Sequence, residues 1–464
     1  MSVKKVLYEA IQKPANEKPM CPVDLTDETM HSHKEKLLSL IKKENYDCIV
    51  VYGDREHGGN FGYLAGFEPR FEESLIVLHS SGKMYMILGN EALRMAAYSR
   101  NEVTVLHTPY FSLPNQPMHG ETDLAEVFAA AGLKEGQKIG VAGWKMFTGS
   151  LSDPKDMLDV PEFITRPIRQ IAGGGGTVKN AADLFIHPGK GVRRIMNANE
   201  IAHYEFGAAL ASHCVYNTIE AIELGRTEME LAENLAAFGQ PVTVQTICAS
   251  GERFKNAVVA PRCKKVELGD RFSTTMGLRG GLTNRVAYAA DTVDNLPQGE
   301  REYLDKVAKP YFTAMAVWYS TIKTDILSGE LYDAVETAAP KEKYGWKLNP
   351  GHLVSSEEWM SSPIYKNSKI PLKSGMMLQM DIIFGVPGYG GCNAEDGIAL
   401  ADSGLRSELE RDYPDTWKRI KCRREYMEEV LGIPLDDSVL PLSNIAGYIR
   451  PLLLEKEKAF RWEN

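Results

Sequence analysis

Side chains able to do nucleophilic or metal chemistry are thinly spread in this sequence. Seven cysteines, Cys21, Cys48, Cys214, Cys248, Cys263, Cys392 and Cys422, are odd in number and widely spaced, with no C-x-x-C pair. Zinc clusters and dithiol redox centres usually draw two thiolates from one short stretch, so these residues read as reduced thiols. The run Gly173-Gly174-Gly175-Gly176 offers backbone amides to a phosphate, but the G-x-x-x-x-G-K-[ST] pattern is absent and no strand leads directly into the run. Its composition reads as a flexible connection. One histidine, His352, follows a glycine. An imidazole there is either a proton carrier near neutral pH or a satisfied turn or core residue, and the residues alone leave both readings open.

The elements that must position such groups fit a chain of ordinary composition. With 464 residues, 44% hydrophobic and 25% charged, it is long enough for two domains, each with its own core. The net charge of -9 argues against nucleic acid or an anionic membrane as partner, since phosphate binding depends on clustered Lys and Arg. Small molecules and short peptides remain as substrates. The N-terminal stretch MSVKKVLYEAIQKPANEK has no apolar signal core, and no segment approaches the roughly 20 apolar residues of a membrane span, so a cytoplasmic location is expected.

After a polar, Pro-containing arm to about Asp27, helix and strand patterns alternate. Helical spacing over His31–Lys43 precedes a β-branched run at Asp47–Tyr52, and similar runs follow at Ser74–His79, Lys83–Leu88, Val103–Leu106 and Lys138–Ala142. Helical segments near Glu91–Ser99 and Glu121–Ala131 complete an α/β domain. Residues Gly143–Arg193, rich in Pro, Gly and Asp, read as a connection. Beyond it, Asn199 can cap a long helix to about Leu224, and Thr227 to Glu230 makes a capping box. Strands are expected at Val242–Ala249, Arg271–Gly277 and Thr283–Ala290. A second long helix from Glu300 to about Leu327, a shorter one from Leu331, and strands at Met376–Phe384 and Ile398–Ala401 repeat that order, which suggests a duplicated α+β unit. A helix near Asp415–Leu431 and an apolar tail at Ile449–Leu454 dock on a domain or on a partner subunit.

Specific fragments now carry a resemblance. Arg194-Ile195-Met196 with Glu200-Ile201 and Ala208, the turn Leu224-Gly225-Arg226-Thr227-Glu228, and then Ala249-Ser250-Gly251, Gly269-Asp270, Gly351-His352, Leu372-Lys373-Ser374-Gly375-Met376 and Glu395-Asp396 followed by Gly404 stand in a set order. Together they resemble the pita-bread hydrolases, the family of methionine aminopeptidase, aminopeptidase P, prolidase and creatinase. Upstream, Asn60-Phe61-Gly62-Tyr63-Leu64-Ala65-Gly66-Phe67 is similar to the N-x-x-Y-L-T-G-F segment of the N-terminal domain in creatinase and aminopeptidase P. The resemblance implies an α+β chain, with an α/β creatinase-type domain and linker over residues 1–190 and a pita-bread domain over 191–464.

In the peptidases of that family, two Asp, one His and two Glu hold two divalent metals, because hard cations take several anionic oxygens and polarise a bridging water. Carried over residue by residue, the first Asp falls on Thr275. The second falls on Arg285 if the turn glycine is the anchor, with Asn284 or Val286 one residue away. His352, Asp381 and Glu395 match the remaining three ligands. Two buried carboxylates without a cation repel and are costly to desolvate, so Arg285 is expected to replace the metal charge beside Asp381 and Glu395. A histidine that follows S-G in the family is matched by Asn256, and a second, in proline-specific members, by Trp359.

What the resemblance implies for function is a creatinase-like hydrolase acting on an amide or amidino C–N bond of a small molecule without metal. His352, with Asp381 and Glu395, would carry the acid–base chemistry, and Glu357 would be a further pocket carboxylate. Arg70 would bind substrate across a homodimer, or else form a surface ion pair with Glu72 or Glu73. Arg253 and Arg262 are further cationic candidates. A metal-dependent Xaa-Pro aminopeptidase or dipeptidase, using manganese, cobalt or zinc, and a non-catalytic binding protein are the alternatives.

Overall fold

The computed structural model describes residues 4–150, 152–256 and 259–463, the side chains of Lys255 and Asn256 excepted. The chain forms two compact units, one spanning Leu25–Arg194 and one that joins residues up to Asp24 to those from Ile195 onward.

In the Leu25–Arg194 unit, short apolar runs pair into a six-stranded sheet, ordered Thr104–His107, Met84–Leu88, Ser74–His79, Cys48–Gly53, Lys138–Ala142 and Thr177–Asn180. Every residue of Cys48–Gly53 and of Met84–Leu88 is buried, which is why both read as continuous apolar runs rather than alternating ones. Lys138–Ala142 pairs in parallel with both Cys48–Gly53 and Thr177–Asn180. A parallel pair needs a crossover, and the helix Glu162–Ala172 supplies it between the last two strands. The stretch expected to be a flexible connection is therefore folded into the sheet. Gly173–Gly176 is the helix-to-strand turn, entered at a positive φ of 61° at Gly173, and a Cβ on Gly176 would lie 2.5 Å from the Ala172 carbonyl oxygen. Compactness, rather than flexibility, selects glycine there.

The other unit repeats helices followed by strands. The helix Ala198–Glu220 is opened by a capping box in which the Asn197 side chain takes the Glu200 amide and Glu200 reaches back. The cap is thus Asn197 and not the expected Asn199, which lies inside the first turn. A second capping box, Thr227 with Glu230, opens Glu228–Ala232. The helices Lys309–Thr321 and Ser328–Ala338 begin the second half. The antiparallel sheet runs His352–Leu353, Met377–Asp381, Asn393–Leu400, Gly281–Ala289, Asp270–Leu278 and Ile247–Ser250, with Val439–Pro441 beside the end of Asn393–Leu400. The central hairpin turns at Arg279-Gly280. Gly280 has φ 104°, and a Cβ there would overlap the Tyr204 carbonyl.

The polar arm expected at the N-terminus contains a strand, Val6–Ala10, paired antiparallel with Lys458–Trp462. The apolar tail before that last strand is buried, and the Leu453 amide donates to the Tyr288 carbonyl (2.8 Å), so the tail is fixed to the central sheet of its own unit. All seven cysteines are unpaired. Among the described residues, no helix is long and apolar enough to cross a membrane.

Candidate functional site

Strand register builds one row of side chains across four neighbouring strands. Asp381 stands directly opposite Glu395, Glu395 opposite Asn284, and Asn284 opposite Thr275. Residues directly opposite in a sheet point to the same face, and their chain neighbours point to the other. This settles the ambiguity among Asn284, Arg285 and Val286. Asn284 shares the row with Asp381 and Glu395, and Arg285 turns to the opposite face. There it donates to Asp396 Oδ2 (2.9 Å) and to the backbone carbonyls of Ile445 (2.5 Å) and Tyr448 (3.0 Å). The expected pairing of Arg285 with the Asp381 and Glu395 carboxylates is therefore wrong, for the plain reason that a one-residue step along a strand changes faces.

His352 lies in the two-residue edge strand opposite Gln379, which is two residues along from Asp381, so His352 is on the same face as the row. Gly351 makes the approach possible: its φ is 118°, and a Cβ would come 2.6 Å from the Gln379 carbonyl oxygen. The imidazole is fully buried and Trp359 stacks on it, with ring centroids 4.0 Å apart. Its Nε2 has no well-aligned hydrogen bond, yet three carboxylates surround it: Glu358 Oε1 at 3.0 Å, Glu395 Oε1 at 3.5 Å and Asp381 Oδ2 at 3.9 Å. Nδ1 lies 3.2 Å from the Leu353 carbonyl oxygen, a contact that favours a proton on Nδ1. Gln379 donates from Nε2 to Leu282 O (2.7 Å) and to Glu395 Oε1 (3.2 Å), fixing that carboxyl group.

Burial and mutual charge then set the protonation states. Burial works to lower the His352 pKa, but the contacts and charges of Glu358 and Glu395 outweigh it and raise it to about 10. Glu395 is pushed well above the carboxylate range, first by burial and then by the Asp381 charge. Burial also lifts Asp381 to about 6 against the pull of His352. Glu358 goes the other way: its burial is outweighed by His352 and by a hydrogen bond with Glu395, so it stays ionised. His352 and its carboxylates thus form one buried cluster in which each group's charge shifts the others.

A cavity of about 680 Å³ opens over the row. Asp381, Glu395, Asn284 and Thr275 line its floor, while Val244, Ile247, Phe254, Phe384 and Tyr389 wall it. Glu358 and Trp359 also reach it. Sequence reasoning named the neighbouring Glu357 instead, but that carboxylate turns to Ser356 Oγ (3.1 Å) and Ser355 Oγ (3.5 Å). Nothing in the local sequence separates Glu357 from Glu358, since both follow an irregular turn. The Asn256 side chain lies outside the described residues. Arg253 is an anchor and not a free cation: with Ser250 and the Arg262 amide it binds the fully buried Glu228, the Arg253 Nε lying 3.0 Å from Glu228 Oε2. In the other unit, Arg70 pairs loosely with Glu68 (3.6 Å) and donates to the Arg55 carbonyl. Neither Glu72 nor Glu73 is its partner in that pair. Glu72 is buried and accepts from the Glu91 and Ala92 amides.

The two-metal arrangement implied by the family resemblance does not fit these side chains. Thr275 and Asn284 stand at the two aspartate positions, and Asn284 Nδ2 donates to Thr275 Oγ1 at 2.6 Å. Neither side chain is a carboxylate, so the two anionic oxygens that a hard dinuclear site takes from these positions are missing. The other half does fit a single divalent cation, because His352, Asp381 and Glu395 offer ligand atoms that all lie within 4.8 Å of one another.

No protein-family model matches the sequence, and no curated protein matches it. Solved structures do. The chain is similar to a recombinant prolidase from Thermococcus sibiricus at 19% identity and TM-score 0.63, covering 80% of this chain and 95% of that one. It is similar to an Xaa-Pro dipeptidase from Bacillus anthracis at 16% identity and TM-score 0.61, covering 81% and 96%. An X-Pro aminopeptidase from Thermotoga maritima MSB8 matches at 17% identity and TM-score 0.59, covering 80% and 95%. Over about four-fifths of its length, the chain thus has the pita-bread fold found in these prolidase, Xaa-Pro dipeptidase and X-Pro aminopeptidase structures.

Proposed function

We propose that the chain is a hydrolase that cleaves an amide or amidino C–N bond of a small molecule by proton transfer among its own side chains, without a metal. The observation that carries this reading is the hydrogen bond from Asn284 to Thr275, which closes the half of the site where two aspartates would hold a cation. What remains is a row of carboxyl groups at the cavity floor, with a buried imidazole beside it.

The roles follow from which groups reach the cavity. Asp381 lines it and, once ionised, takes a proton from water as the water oxygen bonds to the substrate carbon. Glu395 also lines it, and its burial beside the Asp381 charge favours the protonated form, from which it gives a proton to the departing nitrogen as the C–N bond breaks. His352 is fully buried beside them, so its task is to pass a proton from Nε2 to Glu395 across 3.5 Å and to take up, across 3.9 Å, the proton that Asp381 took from water, which restores all three groups. The sequence suggested His352 as the leading acid–base group. The proposal moves that role to Glu395 and makes His352 a proton relay.

The test is a panel of small amides and guanidino compounds assayed with wild type, Glu395→Gln and Asp381→Asn. Each substitution is expected to lower kcat by at least ~100-fold, the usual worth of one general acid or base. A Glu395→Gln enzyme that keeps more than half the wild-type rate overturns the assignment.

A second reading, a metal-dependent Xaa-Pro peptidase or dipeptidase, draws on the His352 Nε2 that lacks an aligned hydrogen bond among its carboxylates. His352, Asp381 and Glu395 would hold the ion, which would polarise a bound water. Against it stands Trp359, where proline-specific members carry a histidine.

A further inference from the structure

The same cavity has a charge and a surface chemistry that point to a class of ligand. Its floor carries the carboxyl groups of Asp381, Glu395 and Glu358 around one imidazole, an acidic excess however the proton is shared. Its walls carry four aromatic rings, Phe254, Trp359, Phe384 and Tyr389. Two of these are held by stacking: Trp359 on His352, and Phe384 on Tyr344 with centroids 4.8 Å apart. Among the described lining residues the one cation is Arg271, and it is neutralised by Glu300, with Nη2 2.8 Å from Oε1. No free guanidinium or ammonium among them is left to receive a substrate carboxylate.

We infer that the ligand of this cavity is a small organic cation, an amidinium, guanidinium or quaternary ammonium compound that carries no carboxylate of its own. Buried carboxylates attract such a cation across a low-dielectric floor, and aromatic faces add to that attraction because the ring quadrupole presents negative charge. The unaligned Nε2 of His352, fully buried among those carboxylates, is a second sign that the floor is built to receive a polar group. A zwitterionic dipeptide would leave its terminal carboxylate facing Asp381 or an apolar wall. This inference deepens the hydrolase reading by naming the substrate class of the same site, and its test does not depend on turnover.

Three isosteric probes separate the possibilities by calorimetric titration of the purified protein at neutral pH: benzamidinium, neutral benzamide and anionic benzoate. The expected order is benzamidinium at least tenfold tighter than benzamide, with benzoate undetectable. Glu358→Gln should weaken benzamidinium at least fivefold more than it weakens benzamide. Trp359→Leu should also weaken it, and Trp359→Phe should restore most of the loss, with circular dichroism checking the fold of each. Benzamide within twofold of benzamidinium, or benzoate as the tightest probe, overturns the inference on the wild-type protein alone. Cation selectivity without hydrolysis of any amide or amidine sinks the hydrolase proposal and leaves this one standing; hydrolysis of neutral or anionic compounds without cation selectivity does the reverse.

Discussion

Asn284 donates from its side-chain amide to Thr275 Oγ1 across 2.6 Å, and the two residues stand directly opposite each other on adjacent antiparallel strands. That bond closes one half of a row whose other half, Asp381 and Glu395, keeps its carboxyl groups. The two halves fit together electrostatically. Asn284 and Thr275 form a neutral, mutually satisfied pair, and under the proposed reading the retained carboxyl groups draw their positive charge from His352.

Restoring both aspartates should restore ion binding. The double variant Thr275→Asp with Asn284→Asp places two further carboxylates in this row, so it should be destabilised by roughly several kcal/mol without metal. Manganese or zinc should then raise its Tm in a concentration-dependent way. Differential scanning fluorimetry with and without metal checks this, and a double variant whose Tm ignores added metal contradicts it.

Arg285 serves the opposite face of the sheet and stability, rather than the site. Arg285→Ala leaves Asp396, fully buried, facing only Ser443 Oγ as a charged or hydroxyl partner. Removing one member of a buried pair costs about 3–5 kcal/mol, which urea unfolding will read directly. Probe binding by the fraction that stays folded should be unchanged. A variant of wild-type stability that loses binding would return Arg285 to the site.

The buried imidazole should leave a signature in stability against pH. His352 has a folded pKa raised from an unfolded value of about 6.5 to about 10. A raised folded pKa contributes stability that is full below pH 6.5 and is lost as pH climbs through about 10. Across that window the stability of wild type relative to His352→Gln should fall by on the order of 4 kcal/mol. Parallel curves for the two proteins from pH 6.5 to 10 would show that His352 is neutral in the folded chain.

The loop that brings Phe254 to the cavity is pinned by Glu228, which accepts from the Ser250 and Arg262 amides and from Arg253. Glu228→Ala unpairs all three donors inside the fold. Expected are a stability loss of about 3–5 kcal/mol and faster proteolysis between residues 252 and 262, both measurable on purified protein. Unchanged cleavage there would mean that the loop is held by other contacts.

Much of this was readable in the sequence wherever a single physical rule decides. Apolar runs located five of the six strands of the Leu25–Arg194 unit, Thr177–Asn180 being the one missed, and the capping box at Thr227 with Glu230 announced its helix. Ordered fragments around Gly269-Asp270, Gly351-His352 and Glu395 pointed to the fold that the solved structures share. Face and turn geometry were not readable. Whether Asn284 or Arg285 joins the row depends on register, which a gap of one residue reverses, and whether Glu357 or Glu358 meets His352 depends on an irregular turn. Gly173–Gly176 misled for another reason: glycine marks a tight helix-to-strand turn as readily as a loose linker, and only the packing around Gly176 tells the two apart.

The central claim is that protons, and not a metal, neutralise the row of Asp381, Glu395 and His352. Its most direct test is the metal content of protein purified without chelator, measured by inductively coupled plasma mass spectrometry. Less than about a tenth of an equivalent of any divalent transition metal is the predicted result, as expected when two of the five ligands of a dinuclear site are missing. Near-stoichiometric manganese, cobalt or zinc, lost together with His352 in the His352→Ala variant, would contradict it.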